Sequence, residues 1–160
     1  MQGILVHEVA QNLRGRYKAE VYEGDIILDR HGRPINKKLD QFEKDNLVVT
    51  VGKQMILDRL YALSAVGAVT RMGVGTSNTA AAVGNTSLTG GVFKVFDATP
   101  IRTSLTVRSI TTFGTGEANI TWAEMGQDNA TTLLSRVAPI GPFTKTTAVS
   151  IVLTYDLTQS

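Results

Sequence analysis

Over most of this chain apolar and polar residues alternate with a period of two, and a helical period governs one stretch. From Thr147 to Leu157, Val149, Ile151, Leu153, Tyr155 and Leu157 fall on one side, the pattern of a strand with one face in a core. Arg16-Tyr-Lys-Ala-Glu-Val-Tyr22 alternates in the same way, with Tyr17, Ala19 and Val21 opposite Lys18, Glu20 and Tyr22. Further strands are expected at Leu47 to Thr50, Thr70 to Val74, Gly91 to Phe96, Ile101 to Phe113 and Leu133 to Val137. The longest of these puts Ile101, Leu105, Val107 and Phe113 on one face and Arg102, Thr106 and Arg108 on the other. Ala118, Ile120 and Trp122 alternate inward after the turn Gly114-Thr-Gly116. Residues 35–45 are polar and charged and carry no such period.

Residues 51–64 form the one expected helix. Met55, Ile56, Leu60 and Leu63 recur at three or four residues and make one apolar stripe, with Lys53, Asp58 and Arg59 off it. Thr50 is placed to cap the helix and Gly67 to stop it. Asp29-Arg-His-Gly-Arg-Pro34 is turn chemistry, and Ser77 to Gly91 is a long loop of Ala, Gly, Asn, Ser and Thr. The expected fold is therefore mainly β: an antiparallel β-sandwich with one packed α-helix (about 51–64) and an N-terminal arm. The expected organisation is an arm over 1–15 and a single β-rich domain over 16–160.

Composition sharpens this picture. At 160 residues, one domain buries roughly 70% of its unfolded surface. With Cys 0 it folds without disulfides, as suits a reducing cytosol. The first 60 residues hold 10 of the 16 Lys and Arg and 9 of the 14 Asp and Glu, so the β-rich remainder is kept wet mainly by hydroxyls. A net charge of +2 provides no concentrated basic stripe, and no nucleic-acid partner is expected. Polar residues within Met1-Gln-Gly-Ile-Leu-Val-His-Glu argue against a secretory leader, and no window approaches the ~20 apolar residues of a membrane span.

Candidate chemistry is sparse. Gly73-Val-Gly75-Thr invites a phosphate-loop reading, but no Gly-Lys-Ser/Thr follows and Asn78 stands where a dinucleotide fingerprint needs its third glycine. The spacing fits a strand-end turn better. His7 and His31 lie in the expected arm and a turn, with no ligand spacing between them and no cysteine to join them, so no metal or other cofactor is expected. Glu117 and Glu124 flank Trp122 like a glycosidase carboxylate pair, yet on one extended strand an odd separation sends them to opposite faces. Trp122 reads as core. Arg14, Arg16 and Lys18 form a small basic cluster interrupted by acids, the pattern of a solvated strand face. No catalytic residue is expected.

Four segments, taken in order, resemble a family of tailed-bacteriophage virion structural proteins. They are Asn46-Leu-Val-Val-Thr-Val-Gly52 with its helix, Met72-Gly-Val-Gly-Thr-Ser-Asn-Thr79, Ile120-Thr-Trp-Ala-Glu-Met-Gly126 with Leu133-Leu-Ser-Arg136, and Ile140-Gly-Pro-Phe-Thr-Lys-Thr146 leading into the last strand. Where the family often continues with an apolar residue after Gly126, this chain has Gln127-Asp-Asn129. The resemblance implies a non-enzymatic building role in the virion, assembled in the host cytoplasm. It points to a capsid decoration (cement) protein on the outer shell, with a tail, neck/collar or fibre-attachment protein as the alternative. The implied partners are the major capsid protein or neighbouring virion subunits, and a homo-oligomer, preferably a trimer. The arm is expected to reach such a neighbour by added β pairing, with Ile4, Leu5, Val6, Val9, Leu13, Arg14 and Arg16 as partner-binding residues.

Overall fold

The computed structural model describes residues 13–63 and 65–159. Its chain order is β1 (Leu13–Glu23), β2 (Lys38–Val48), α1 (Thr50–Tyr61), β3 (Arg71–Gly75), β4 (Val92–Val95), β5 (Ile101–Thr103), β6 (Thr106–Phe113), β7 (Thr121–Trp122), β8 (Glu124–Asp128), β9 (Leu133–Val137), β10 (Phe143–Thr144) and β11 (Val149–Gln159). Nine strands form one antiparallel sheet in the order β4-β3-β8-β9-β2-β1-β11-β6-β5, and β10 pairs with β7 apart from it. Among the described residues the fold is mainly β and sandwich-like with one helix, as expected.

β2 makes the sheet curl. Its stretch from Lys38 to Asn46 pairs with β1, whereas Leu47 and Val48 pair with β9 on the opposite edge. One half-sheet (β2-β1-β11-β6-β5) thus folds over the other (β4-β3-β8-β9). The ends meet again where the Asp97 amide donates to the Ile110 carbonyl at 2.9 Å and Lys94 Nζ to the Thr112 carbonyl at 2.7 Å. Alternation fills the space between the halves. Tyr17, Ala19 and Val21 of β1 lie opposite Tyr155, Leu153 and Ile151 of β11 in register, all buried. Met72, Val74, Met125 and Val137 face them from the other half. Trp122 closes one end, edge-on to Phe113 at 5.3 Å and to Phe143 at 6.5 Å, with its indole N–H donating to the Ala118 carbonyl. Two buried hydrogen bonds tie the halves: Tyr17 Oη with Ser135 Oγ at 3.0 Å, and Gln127 Nε2 to Ser109 Oγ at 2.6 Å.

Several elements differ from expectation, each for a physical reason. Leu13, Arg14 and Gly15, expected in the arm, pair with Gln159, Thr158 and Leu157 in β1. Residues 1–12 lie outside the described residues. Residues 38–45 belong to a strand, although charged, because β2 is open to solvent over this length and only Phe42 turns to the core. The stretch from Ile101 to Phe113 is two strands joined by a tight turn at Ser104-Leu105, with Ser104 at φ 53°. Thr106 to Phe113 keeps the expected face, with Ser109, Thr111 and Phe113 reaching the interior and Val107 running past it. The turn, however, sets Ile101 opposite Arg108 on the outer face and Arg102 opposite Val107, the reverse of the expectation for those two residues.

The helix covers the outer side of β9. Gly52 sits against the Leu134 carbonyl so closely that a Cβ would collide with it, and Met55 packs with Val48 and Leu134. Val49, not Thr50, is the N-cap, and no side chain bonds there. The helix ends at Tyr61, before the expected 64, where Ala62 turns left-handed at φ 51° and its N–H bonds the Asp58 carbonyl. Consequently only the first half of the apolar stripe is buried. Leu60 and Leu63 remain 67% and 73% exposed.

Candidate functional site

Two surface features have the geometry of a site. The first is a groove of about 740 Å³ over the outer face of the β2-β1-β11-β6 half-sheet. The same alternation that sends Tyr17 and Ala19 inward puts Arg16, Lys18 and Glu20 on its floor, beside Thr154 and Asp156 of β11 and Arg108 and Thr112 of β6. The segments 26–34 and 97–101 form its walls. Leu28 and Pro34 stand on one side, Ala98 and Pro100 on the other.

The floor is a ladder of matched charges. Arg16 Nε donates to Asp45 at 2.9 Å and its guanidinium lies 3.7 Å from Glu43. Lys18 and Lys38 both reach Glu20, at 3.1 and 3.2 Å. Burial pushes the Glu20 carboxyl up, but hydrogen bonds from these two ammonium groups outweigh it and hold it below its usual range. Arg108 clamps Asp156 with two bonds of 2.7 Å. A polyanion meets no uncompensated row of cations here. The floor presents both signs of charge and the walls present apolar side chains.

The second feature lies on the outer face of β3-β8-β9. Gly73-Val-Gly75 is part of β3 rather than a strand-end turn, and Gly73 pairs directly with Gly126 of β8. Period two brings Gly73 and Gly75 to one face, where a Cβ would strike the Phe93 ring in one case and Glu124 in the other. These glycines let the segment 76–91 lie flat on the sheet. Glu124 and Arg136 hold it there. Their side chains are 0% and 4% exposed, and Arg136 Nε donates to Glu124 Oε2 at 2.5 Å. Glu124 Oε1 accepts the Thr89 amide at 2.6 Å and the Ser77 amide at 3.3 Å. Arg136 donates onward to the carbonyls of Thr79 and Ala80 and to Asn85 Oδ1. Above the guanidinium a polar depression of about 330 Å³ remains, lined by Ser, Thr and Asn.

A third buried charge is Lys145. Its ammonium donates to the Gly114 carbonyl at 2.7 Å and Asn119 Oδ1 at 2.9 Å, and burial pushes its pKa down. It knits the 114–119 turn to β10.

The two carboxylates flanking Trp122 do not share a site. Glu117 accepts from Lys94 at 2.6 Å and from the Gly114 amide, and its carboxyl is held below the usual range chiefly by the Lys94 bond. Glu124 faces the 76–91 segment instead. Trp122 is fully buried, as expected of a core residue. His31 is exposed in its turn, its amide bonded to Asp29; His7 lies outside the described residues. Among the described residues no three His, Asp or Glu gather where they could hold a metal ion. Of the expected partner-binding residues, Ile4, Leu5, Val6 and Val9 lie outside the described residues. Leu13 packs on the Val48–Met55–Leu134 cluster, Arg14 is exposed at the start of β1, and Arg16 is engaged on the groove floor.

The Glu124–Arg136 unit was not anticipated. Glu124 opens β8 and Arg136 lies within β9, and both strands are buried at every position, which the sequence alone does not reveal. No helix among the described residues is long and apolar enough to cross a membrane. Compared with known proteins, the chain matches no family model, no curated protein and no solved structure.

Proposed function

We propose that this chain is a structural protein of a tailed-bacteriophage virion, a decoration (cement) protein that binds the outer capsid shell and stabilises it. One observation carries the reading. The segments on which the resemblance rests are separated in sequence, yet most of them converge on a single unit. Leu47 and Val48 pair with β9, α1 lies on Leu134, Gly73 pairs with Gly126, and Glu124 with Arg136 pins the segment 76–91. Ile140 joins the same body through its amide bond to Ala123. Segments far apart in sequence that come together to build one scaffold support a building role.

The chemistry agrees with that role. The buried charges Glu124, Arg136 and Lys145 are engaged in holding backbone segments and Asp128 is clamped by Arg71, which leaves none of the four to move a proton on a substrate. The groove has the mixed charge and apolar walls suited to the major capsid protein or a neighbouring virion subunit. A contact of roughly 800 Å² per partner is ordinary for stable association, and repetition across a lattice adds avidity. A homo-oligomer, preferably a trimer, is the form in which it would bridge capsomers.

Copy number tests the reading. In purified virions this protein should stand in a fixed ratio to the major capsid protein, on the scale of one or more copies per capsomer. A ratio matching a single ring at the neck or tail overturns the decoration reading in favour of a tail, collar or fibre-attachment part. Absence from the virion overturns both.

A further inference from the structure

β2 holds an open sheet edge in the middle of the fold. β9 pairs only with its Leu47 and Val48, ends at Val137 and turns away, so that the Ile140 amide bonds the Ala123 carbonyl. From Asp40 to Asn46, β2 is therefore paired on one side alone, with β1, among the described residues. Backbone groups of alternate residues point to opposite sides of an antiparallel strand. The Val49 amide donates to the Leu134 carbonyl, so the odd-numbered residues of β2 direct their backbone groups to the β9 side. Beyond the end of β9, those of Asp45, Glu43 and Gln41 face the opening. The Gln41 amide has only a makeshift partner, the carboxylate of Asp40 at 2.7 Å. An edge of this kind is a template for another strand.

The charges along the edge indicate which strand. Lys38 reaches Glu20, and Glu43 and Asp45 reach Arg16, so these three are paired within the chain. Asp40 and Lys44 are exposed and have no ion-pair partner among the described residues. They share the face of Phe42 and stand two positions to either side of it. Phe42 is itself only half-buried, with its ring 6.5 Å from that of Phe143. One inward charge blunts an edge against other strands. Two of opposite sign, placed symmetrically about an aromatic ring, match when the strand meets its own copy. Antiparallel pairing centred on Phe42 sets Asp40 against Lys44 of the partner subunit and Lys44 against Asp40 of the partner subunit, with the two Phe42 rings side by side. It also sets Gln41 and Glu43 opposite each other twice, as pairs that exchange both backbone bonds, and frees the Asp40 carboxylate for its cation. A register shifted by two residues either way puts Asp40 or Lys44 against Phe42 and leaves the charges unmatched. We propose that two copies of this chain pair antiparallel through the open stretch of β2, about a two-fold axis at Phe42. The contact stands apart from the virion reading and from the contacts within a trimer, which it would join to one another.

The absence of native cysteine makes a clean test available. Positions 40 and 44 lie about 13 Å apart along one strand, too far for a disulfide within a chain. The full chain carrying Asp40→Cys and Lys44→Cys is oxidised under mild conditions, beside a control carrying Asp40→Cys and Asp45→Cys, whose thiols lie on opposite faces. The expected result is a covalent dimer in which mass spectrometry finds 40–44 links, well above the yield of the control. A yield no higher than the control overturns the proposal, and so does a prevalence of 40–40 or 44–44 links, which belong to other registers. The charges are then tested without cysteine, by hydrogen exchange at the Glu43 amide as the concentration of the full chain is raised. Wild-type protein should gain protection there with concentration. Lys44→Glu, which opposes like charges at both ends of the pairing, should raise the midpoint concentration by about tenfold or more. Asp40→Lys added to Lys44→Glu should restore it. Protection that is independent of concentration, or equal midpoints for the three proteins, overturns the contact. Neither measurement involves a capsid, so a failure here leaves the virion reading where it stands.

Discussion

Replacing Arg136 by Met isolates what the buried pair contributes. Arg136 and Glu124 are almost wholly shielded from water, and Arg136 also satisfies the carbonyls of Thr79 and Ala80 and the side chain of Asn85. The substitution keeps the aliphatic stem but leaves a buried carboxylate with two amide donors and no cation. Breaking a buried pair from one side costs about 3–5 kcal/mol. In a domain of this size each kcal/mol shifts the melting temperature by roughly 2–4 °C, so a fall of roughly 6–20 °C is expected. The assay is thermal unfolding followed by circular dichroism, joined to hydrogen exchange at Ser77 and Thr89, whose amides bond Glu124. Both amides should exchange faster. The internal control is Arg108→Met, which removes a bidentate pair whose arginine is 58% exposed and which is worth at most about 1 kcal/mol. Equal melting temperatures for the two variants, or unchanged exchange at Ser77 and Thr89, would refute the claim that this pair pins the 76–91 segment.

Other contacts lead to further expected outcomes. Gly52→Ala should destabilise the protein by about 1–3 kcal/mol in chemical denaturation, although alanine is the better helix former, because its Cβ collides with the Leu134 carbonyl. Lys145→Met should lower the urea midpoint at unchanged slope, by about 1–3 kcal/mol, as the half-buried Gly114 carbonyl loses its donor. Burial holds the Tyr17 and Tyr155 phenols above their ordinary pKa of 10.0, so the stability they contribute is intact below pH 10 and is lost as pH rises through their folded-state values. Absorbance at the phenolate band should therefore rise for these tyrosines only together with loss of the β signal; reversible ionisation in the folded protein would contradict their burial.

Alternation made the interior strands readable. β1 and β11 show it cleanly, since one face of each packs Tyr17, Ala19, Val21 and Ile151, Leu153, Tyr155 while the other meets the wet groove floor. β2 escaped because its period is hidden. It runs along the open side of its half-sheet, so charged residues fill both faces and Phe42 alone marks the inner one. The helix stripe holds for Met55, Ile56 and Leu60 but not for Leu63, which lies beyond the left-handed Ala62, and its burial at Met55 depends on the sheet beneath it, which no local period encodes. The glycines of β3 looked like a loop because Gly-x-Gly is also phosphate-loop chemistry. Their purpose depends on Phe93 and Glu124, which lie far along the chain. The Glu124–Arg136 pair depends likewise on the β8–β9 register, where Gly126 stands opposite Arg136.

The decoration reading is tested most directly on capsid shells that lack this protein. Purified chain is titrated onto them, and bound protein is counted after sedimentation while the shells are heated to disruption. The account predicts saturation at a constant number of copies per capsomer and a higher disruption temperature for the loaded shell. No binding, or binding confined to one vertex with the disruption temperature unchanged, would contradict it.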